Sequence, residues 1–421
     1  MTEPSDLILR GIGELVTNDP RRVEAGLLGI VNHAAIAIRS GRVDWAGPLE
    51  DLPDEYFDLP DLDCAGRAVL PGFVDSHTHL VFAGERGEEF TRRLAGESYE
   101  TILAAGGGIQ ATVRATRRAV REAAAVGLVE SARLRAERML THGTTTVEIK
   151  SGYGLDVPTE LRMLEAASAI GKLVPIDTVG TVLGAHVVPP EFAGDRESYI
   201  RLVEEEMLPL LAPLARYCDV FCDRGAFTVP EARHILEAGK HFGLKPRVHA
   251  EQLVATGAAL LAAEVGAVSA DHLDHIDEEG AAALAAAGTV ATLLPAASFS
   301  MRTPQAPARL LWDAGVTVAL ATDCNPGTSY VESMQFVIAV AALETGLSPA
   351  EAVWAATRGG ALALEEPDKG WIGAGTAADL VILDAPSSVH IPYRPGANLV
   401  WKVIKDGAVV VERPSPLQGK G

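Results

Sequence analysis

Two histidines separated by one residue, His77 and His79 in the run PGFVDSHTHL, carry the sharpest chemical signal in the sequence. Alternation along an extended segment puts residues i and i+2 on the same side, so both imidazoles can approach one ion. A bare H-x-H also arises by chance. What raises its weight is His249, closing the strand-like run KPRVH, and Asp323, closing VTVALATD. Together they add a third nitrogen and a hard oxygen. Three nitrogens and one oxygen suit Zn2+ or Fe2+ and leave a position for water, as a catalytic site requires. Other polar residues end or follow similar apolar runs: Asp75, Lys150, Tyr153, His186, His272 and Asn325.

Residues so distant in sequence meet only if the fold gathers strand ends at one face. Eight strand-like runs alternate with Ala/Leu/Glu/Arg-rich helical stretches, ending at Asp75, Ile149, His186, Asp223, His249, Asp271, Pro295 and Asp323. This predicts an α/β fold, a (β/α)8 TIM barrel over residues 67–374, whose reacting groups stand at the carboxyl ends of the strands. Among its helices, one is expected from about Ile109 to Leu140 and another after Pro230. Residues 1–66 and 375–421 read instead as short strands with turns, including Lys405-Asp406-Gly407 between two β runs. They are expected to join as one small discontinuous β-sandwich domain.

The 421 residues are 48% apolar, enough for a sizeable core, and 36 basic against 56 acidic side chains leave a net charge of −20. That field disfavours nucleic acid and anionic membranes. A small anionic substrate needs a local basic group to override it. The start MTEPSDLILR lacks the features of a signal peptide, no run is apolar enough for a membrane span, and four cysteines make no disulfide framework. A cytoplasmic location is expected.

The segment Pro71–Phe90 resembles the first-strand signature of the amidohydrolase superfamily, and within it the imidazolonepropionase family. Further blocks are similar to that family: EIKSGYGLD (Glu148–Asp156), GAHVVPPEF (Gly184–Phe192), VHAEQL (Val248–Leu253), SADHLDHI (Ser269–Ile276) and ATDCNPGTSY (Ala321–Tyr330). The resemblance implies hydrolysis of 4-imidazolone-5-propanoate to N-formimidoyl-L-glutamate in histidine degradation. It matches His77, His79, His249 and Asp323 to the metal ligands. Arg86, Tyr153, His186, Gln252, Asn325, Gly327 and Thr328 match positions that hold substrate or product, and His272 one near the metal-bound water. The cofactor implied is one divalent or trivalent transition metal ion per chain, zinc or iron. A single ion is favoured because CDVFCDR lacks the fourth-strand Lys that bridges two ions in binuclear relatives.

Arg86 is chemically suited to a propanoate tail, since its planar fork can grip a carboxylate with two charge-assisted bonds. Its plainer reading is an ion pair with Glu85, Glu88 or Glu89. Tyr153 could simply pack its loop, and Asn325 and Thr328 could merely cap the next helix. Proton transfer falls to Asp323, His272 or Glu251. His249-Ala250-Glu251-Gln252 departs from the H-x-x-E of many single-metal relatives, and the expected outcome is that Asp323 and His272 carry protons while Gln252 binds substrate. Lys150 is read as structural or as support for an anion, paired with Glu148 or Asp156. Gly106-Gly107-Gly108 reads as a loop, possible as a lid, and His275 as support for the site. A homodimer is expected. The alternative activity is deamination of a cyclic amidine or nucleobase at the same metal site, and a barrel that has lost catalysis is the non-enzymatic one.

Overall fold

The computed structural model describes residues 6–97, 101–102, 105–122 and 125–414. From the termini comes one mixed sheet of eight strands. The amino-terminal segment contributes β1 (Leu7–Leu15), β2 (Val31–Arg39), β3 (Arg42–Pro48), β4 (Asp61–Asp63) and β5 (Ala68–Pro71). In the barrel follow β6 (Phe73–Asp75), β7 (Thr144–Lys150), β8 (Asp177–Ala185), β9 (Tyr217–Cys222), β10 (Lys245–Ala250), β11 (Ser269–His272), β12 (Val290–Leu293) and β13 (Val318–Leu320). The chain returns to the terminal sheet through β14 (Leu380–Leu383), β15 (Val400–Lys405) and β16 (Ala408–Glu412). The order there is β16-β15-β14-β5-β1-β2-β3, with β4 also on β1. The sheet curls until β3 meets the segment before β14, where Val43 N–H donates to the Thr376 carbonyl. Leu9, Ile36, Leu380, Ile382 and Trp401 share the apolar cluster thus enclosed.

One expected strand is two. The run Ala68–Asp75 divides at Gly72: Ala68–Pro71 pairs with β1 and β14, and Phe73–Asp75 with β7. Residues 68–71 therefore hydrogen-bond outside the barrel. Likewise the helix expected from Ile109 to Leu140 is two, Ile109–Arg121 and Ala125–Thr141. The helix after Pro230 runs Val229–His241, opened by a capping box of Thr228 and Glu231 with Pro230 in the first turn. No helix among the described residues is long and apolar enough to cross a membrane.

The eight barrel strands are parallel and pair in sequence order from β6 to β13. Closure between the first and last occurs above the strands, through a parallel bridge of Thr78 with Cys324. Asp323 N–H donates to the His77 carbonyl (3.1 Å) and His79 N–H to the Cys324 carbonyl (3.0 Å). Lower down, the seam is covered by the helical turns Ala355–Gly359 and Gly360–Ala363. Their glycines lie directly on the strands: a Cβ on Gly360 would press into the Val74 carbonyl, and one on Gly359 into that of Val318. Backbone cannot yield as a flexible side chain can, so Gly360→Ala should cost about 1–3 kcal/mol and lower the unfolding midpoint by several degrees. Gly396, with nothing within 4 Å of its added Cβ, is the control. Equal midpoints for the two alanine variants would show that the turn does not rest on β6.

Candidate metal centre

His77, His79, His249, His272 and Asp323 converge at the carboxyl ends of the barrel strands, all buried. Ligand atoms of His77, His79 and Asp323 lie within 4.8 Å of one another, as do those of His77, His249 and His272. Asp323 Oδ1 is 3.7 Å from His77 Nε2 and 3.6 Å from His79 Nε2, and His249 Nε2 is 3.4 Å from His79 Nε2. Ligands about 2.0–2.2 Å from a common tetrahedral ion stand roughly 3.3–3.6 Å apart. Two imidazole nitrogens facing each other at 3.4 Å need a cation or a proton between them. Burial drives His77, His79 and His272 well below the ordinary histidine range, so they are neutral and offer lone pairs instead. His77 Nε2, buried, has no hydrogen-bond partner among the described residues. The donor set fits a transition metal.

Each orienting contact lies one layer below. His77 Nδ1 is 2.7 Å from Asp271 Oδ2, and His249 Nδ1 is 3.0 Å from Asp219 Oδ2. The Asp271 carboxylate on His77 Nδ1 fixes that ring's tautomer and leaves its Nε2 free for an ion, while Asp219 stands beside the His249 ring as a charge partner. Although burial alone would raise both aspartates, Asp219 is held below the usual range by His249 and Lys150, and Asp271 by Arg247 and Lys150. Lys150 is thus placed with Glu148, as one reading had it, and not with Asp156.

The backbone bends sharply where these side chains emerge. Glu251 (φ 55°), His272 (φ 76°), Leu273 (φ 63°) and Asp323 (φ 51°) are left-handed without being glycine, a conformation that costs of order 1–3 kcal/mol each and persists where surroundings impose it. For Glu251 the turn has a consequence. Its carboxylate accepts from Gly257 N–H (3.1 Å) and Ala259 N–H (3.3 Å), at the start of the helix Ala258–Glu264, and is not part of the ligand cluster. The left-handed residue ends the alternation of β10 and turns the Glu251 side chain to cap a helix, the arrangement in which proton transfer rests with the other two candidates, Asp323 and His272. Gln252 is partly exposed on the same loop.

Asp323 is held from its other oxygen. Thr328 Oγ1 donates to Asp323 Oδ2 (3.3 Å), leaving Oδ1 toward the histidines. Burial raises its pKa to about 7, against the pull of Asn325 and Thr328. Asn325 spends its side chain locally, accepting from Gly327 and Thr328 N–H (2.8 Å each) and donating to the Asp323 carbonyl (2.7 Å). It shapes the turn that presents Asp323.

On the opposite rim, Tyr153 and His186 stand against His79, with ring centroids 5.5 and 5.1 Å away. Buried Glu160 accepts from the N–H groups of Gly152, Gly154 and Leu155 and so fixes the loop that carries Tyr153. Gly152 (φ +104°) is crowded by His186 and Leu183, so only glycine suits that place. Burial pushes the Tyr153 phenol up, with Asp323 adding and Arg86 opposing, and it stays a donor. His186 Nδ1 is 3.0 Å from the Gly152 carbonyl.

Arg86 packs against Gly327, where its guanidinium fills the space a Cβ would take. It is paired with Glu89 through Nε (2.9 Å) and Nη2, as the plainer reading anticipated, and Glu89 also accepts from Gly108 N–H (2.8 Å). A cavity of about 1270 Å³ begins at Arg86 and Gly327 and runs past Phe90, Phe299 and Tyr330, but none of the clustered histidines lines it. His275 is exposed, contrary to its expected supporting place. Sequence reasoning missed Asp219, Asp271 and Arg247 as parts of the site. The available signal was their type: charged residues at barrel-strand positions are costly unless paired.

A parallel barrel with a terminal β domain, and three histidines and an aspartate meeting at its strand ends, define a metal-dependent hydrolase class. Residues 68–410 match the amidohydrolase family, and the chain belongs to it. Within that family it groups with the imidazolonepropionases. That of Mycolicibacterium smegmatis is 51% identical over 404 residues, covering 96% of this chain and 97% of that protein. That of Salinispora arenicola is 50% identical over 407 residues, covering 96% and 98%. Among solved structures, a zinc-bound adenosine deaminase from Xanthomonas campestris has a TM-score of 0.72 at 19% identity, covering 98% of this chain and 94% of that one. Atrazine chlorohydrolase from Arthrobacter aurescens, complexed with zinc, has a TM-score of 0.66 at 18% identity, covering 98% and 97%. These two likenesses show the shared fold.

Proposed function

We infer that the protein hydrolyses the ring amide of 4-imidazolone-5-propanoate to N-formimidoyl-L-glutamate, a step of histidine degradation. The observation that carries this is about half identity to imidazolonepropionases across nearly the whole chain. One transition metal ion per chain, zinc or iron, would be held by His77, His79, His249 and Asp323. When bound, it supplies Lewis acidity and activates water at neutral pH. The residues do the rest. Asp323 takes the proton lost by the attacking water, and His272, facing the cluster beside His77 and His249, steadies the charge on the former carbonyl oxygen. The ring C–N bond breaks, and a proton returns to the departing nitrogen. Tyr153 and His186 donate to or accept from the ring and tail, with Gln252 and the Gly327-Thr328 turn at the mouth.

Arg86 receives the anionic tail by exchanging the Glu89 carboxylate for that of the substrate. Arg86→Ala should weaken substrate affinity by about 2–4 kcal/mol, seen as a higher KM, with metal content unchanged. Loss of metal from that variant would contradict the assignment. The activity itself is tested by nitrogen balance: ring opening keeps every nitrogen in the product, whereas release of ammonia would indicate a deaminase.

A further inference from the structure

Beneath the ligand cluster, Asp219, His249 and Asp271 bring three more ligand atoms within 4.8 Å of one another, a grouping that could itself hold a cation. A cation from the chain is already there. Lys150 Nζ lies 2.8 Å from Asp219 Oδ2, 2.8 Å from Glu148 Oε1 and 3.6 Å from Asp271 Oδ2, and all four side chains have no exposed surface. The same two aspartate oxygens face His249 Nδ1 and His77 Nδ1. One ammonium therefore spans the pair of carboxylates that orient two of the clustered imidazoles.

The charge balance depends on it. Glu148, Asp219 and Asp271 are buried with Lys150 and Arg247, and Arg247 reaches Asp271 at 3.3 Å while donating to the Ser76 and Ala363 carbonyls. Buried carboxylates left in excess would take up protons or recruit another cation. Either outcome would cost the histidines their acceptors.

We propose that Lys150 is a positioning residue: its ammonium holds Asp271 as the acceptor for His77 Nδ1–H and Asp219 against the His249 ring, and fills the place of a second metal ion. The proposal rests on the metal reading given above, and titration of the full apo chain with zinc, against a competing indicator, separates the two. Wild type should saturate at one tight equivalent. No tight zinc at all would sink the metal reading itself, whereas two tight equivalents would overturn the role of Lys150 alone. Lys150→Met, which keeps the bulk and removes the charge, should bind zinc about 10- to 100-fold more weakly. A purely structural role would lower the unfolding temperature yet leave the zinc affinity of the folded chain within about twofold, and that result would overturn the proposal. Should Lys150→Met not fold, Lys150→Gln is read in the same way, and the wild-type stoichiometry still decides whether a second ion is kept out.

Discussion

His249→Ala is expected to lose bound metal and turnover together. The substitution takes away one of three nitrogen ligands, and the remaining His77, His79 and Asp323 form a set that Asp323 alone anchors with charge. Removing the imidazole also leaves Asp219 Oδ2 without the ring 3.0 Å away, although Lys150 still neutralises it at 2.8 Å, so the barrel should fold. Asp323 remains but has no activated water to deprotonate, so the expected fall in kcat/KM exceeds the about 10²–10⁴-fold that proton transfer alone contributes. Elemental analysis after dialysis and a ring-opening assay on the same sample check it. Wild-type metal content with wild-type turnover would mean that no ion is held at this histidine.

Asp323→Asn should separate chemistry from folding. The amide keeps the carboxylate's shape and one oxygen, but it cannot accept a proton, so kcat is expected to fall by about 10²–10⁴-fold. Stability should move the other way in the metal-free protein. Burial raises the Asp323 pKa from 3.8 to about 7, so the folded chain binds the proton more tightly than the unfolded one. The contribution to stability is full below about pH 4 and is lost as pH rises through 7. The neutral amide does not carry that loss, and at pH 8 the metal-free variant should unfold at a temperature equal to or above that of metal-free wild type. A clear drop would show that Asp323 is needed in its charged form by the protein itself.

Much of this site was legible in the sequence because a barrel converts strand ends into a shared face. Once eight alternating runs are recognised, His77, His79, His249 and Asp323 fall on that face by position. Which partner each finds is a different matter. Asp271 meets His77 across 194 residues of chain, and neither alternation nor composition carries that pairing. Alternation also stops informing where the backbone leaves the strand. Glu251 turns left-handed one residue past β10 and caps a helix, and Asn325 folds its side chain back into its own turn. The division at Gly72 was hidden for a related reason, since an apolar run looks the same whether it serves one sheet or passes between two.

The bridge of Thr78 with Cys324 sets an order on biosynthesis. His77 and His79 follow the first barrel strand and Asp323 follows the last, so a polypeptide still leaving the ribosome carries two of the proposed ligands long before it carries the fourth. On the proposed ligand set, capture of an ion would report that translation has passed the eighth strand and that the two ends of the barrel have joined.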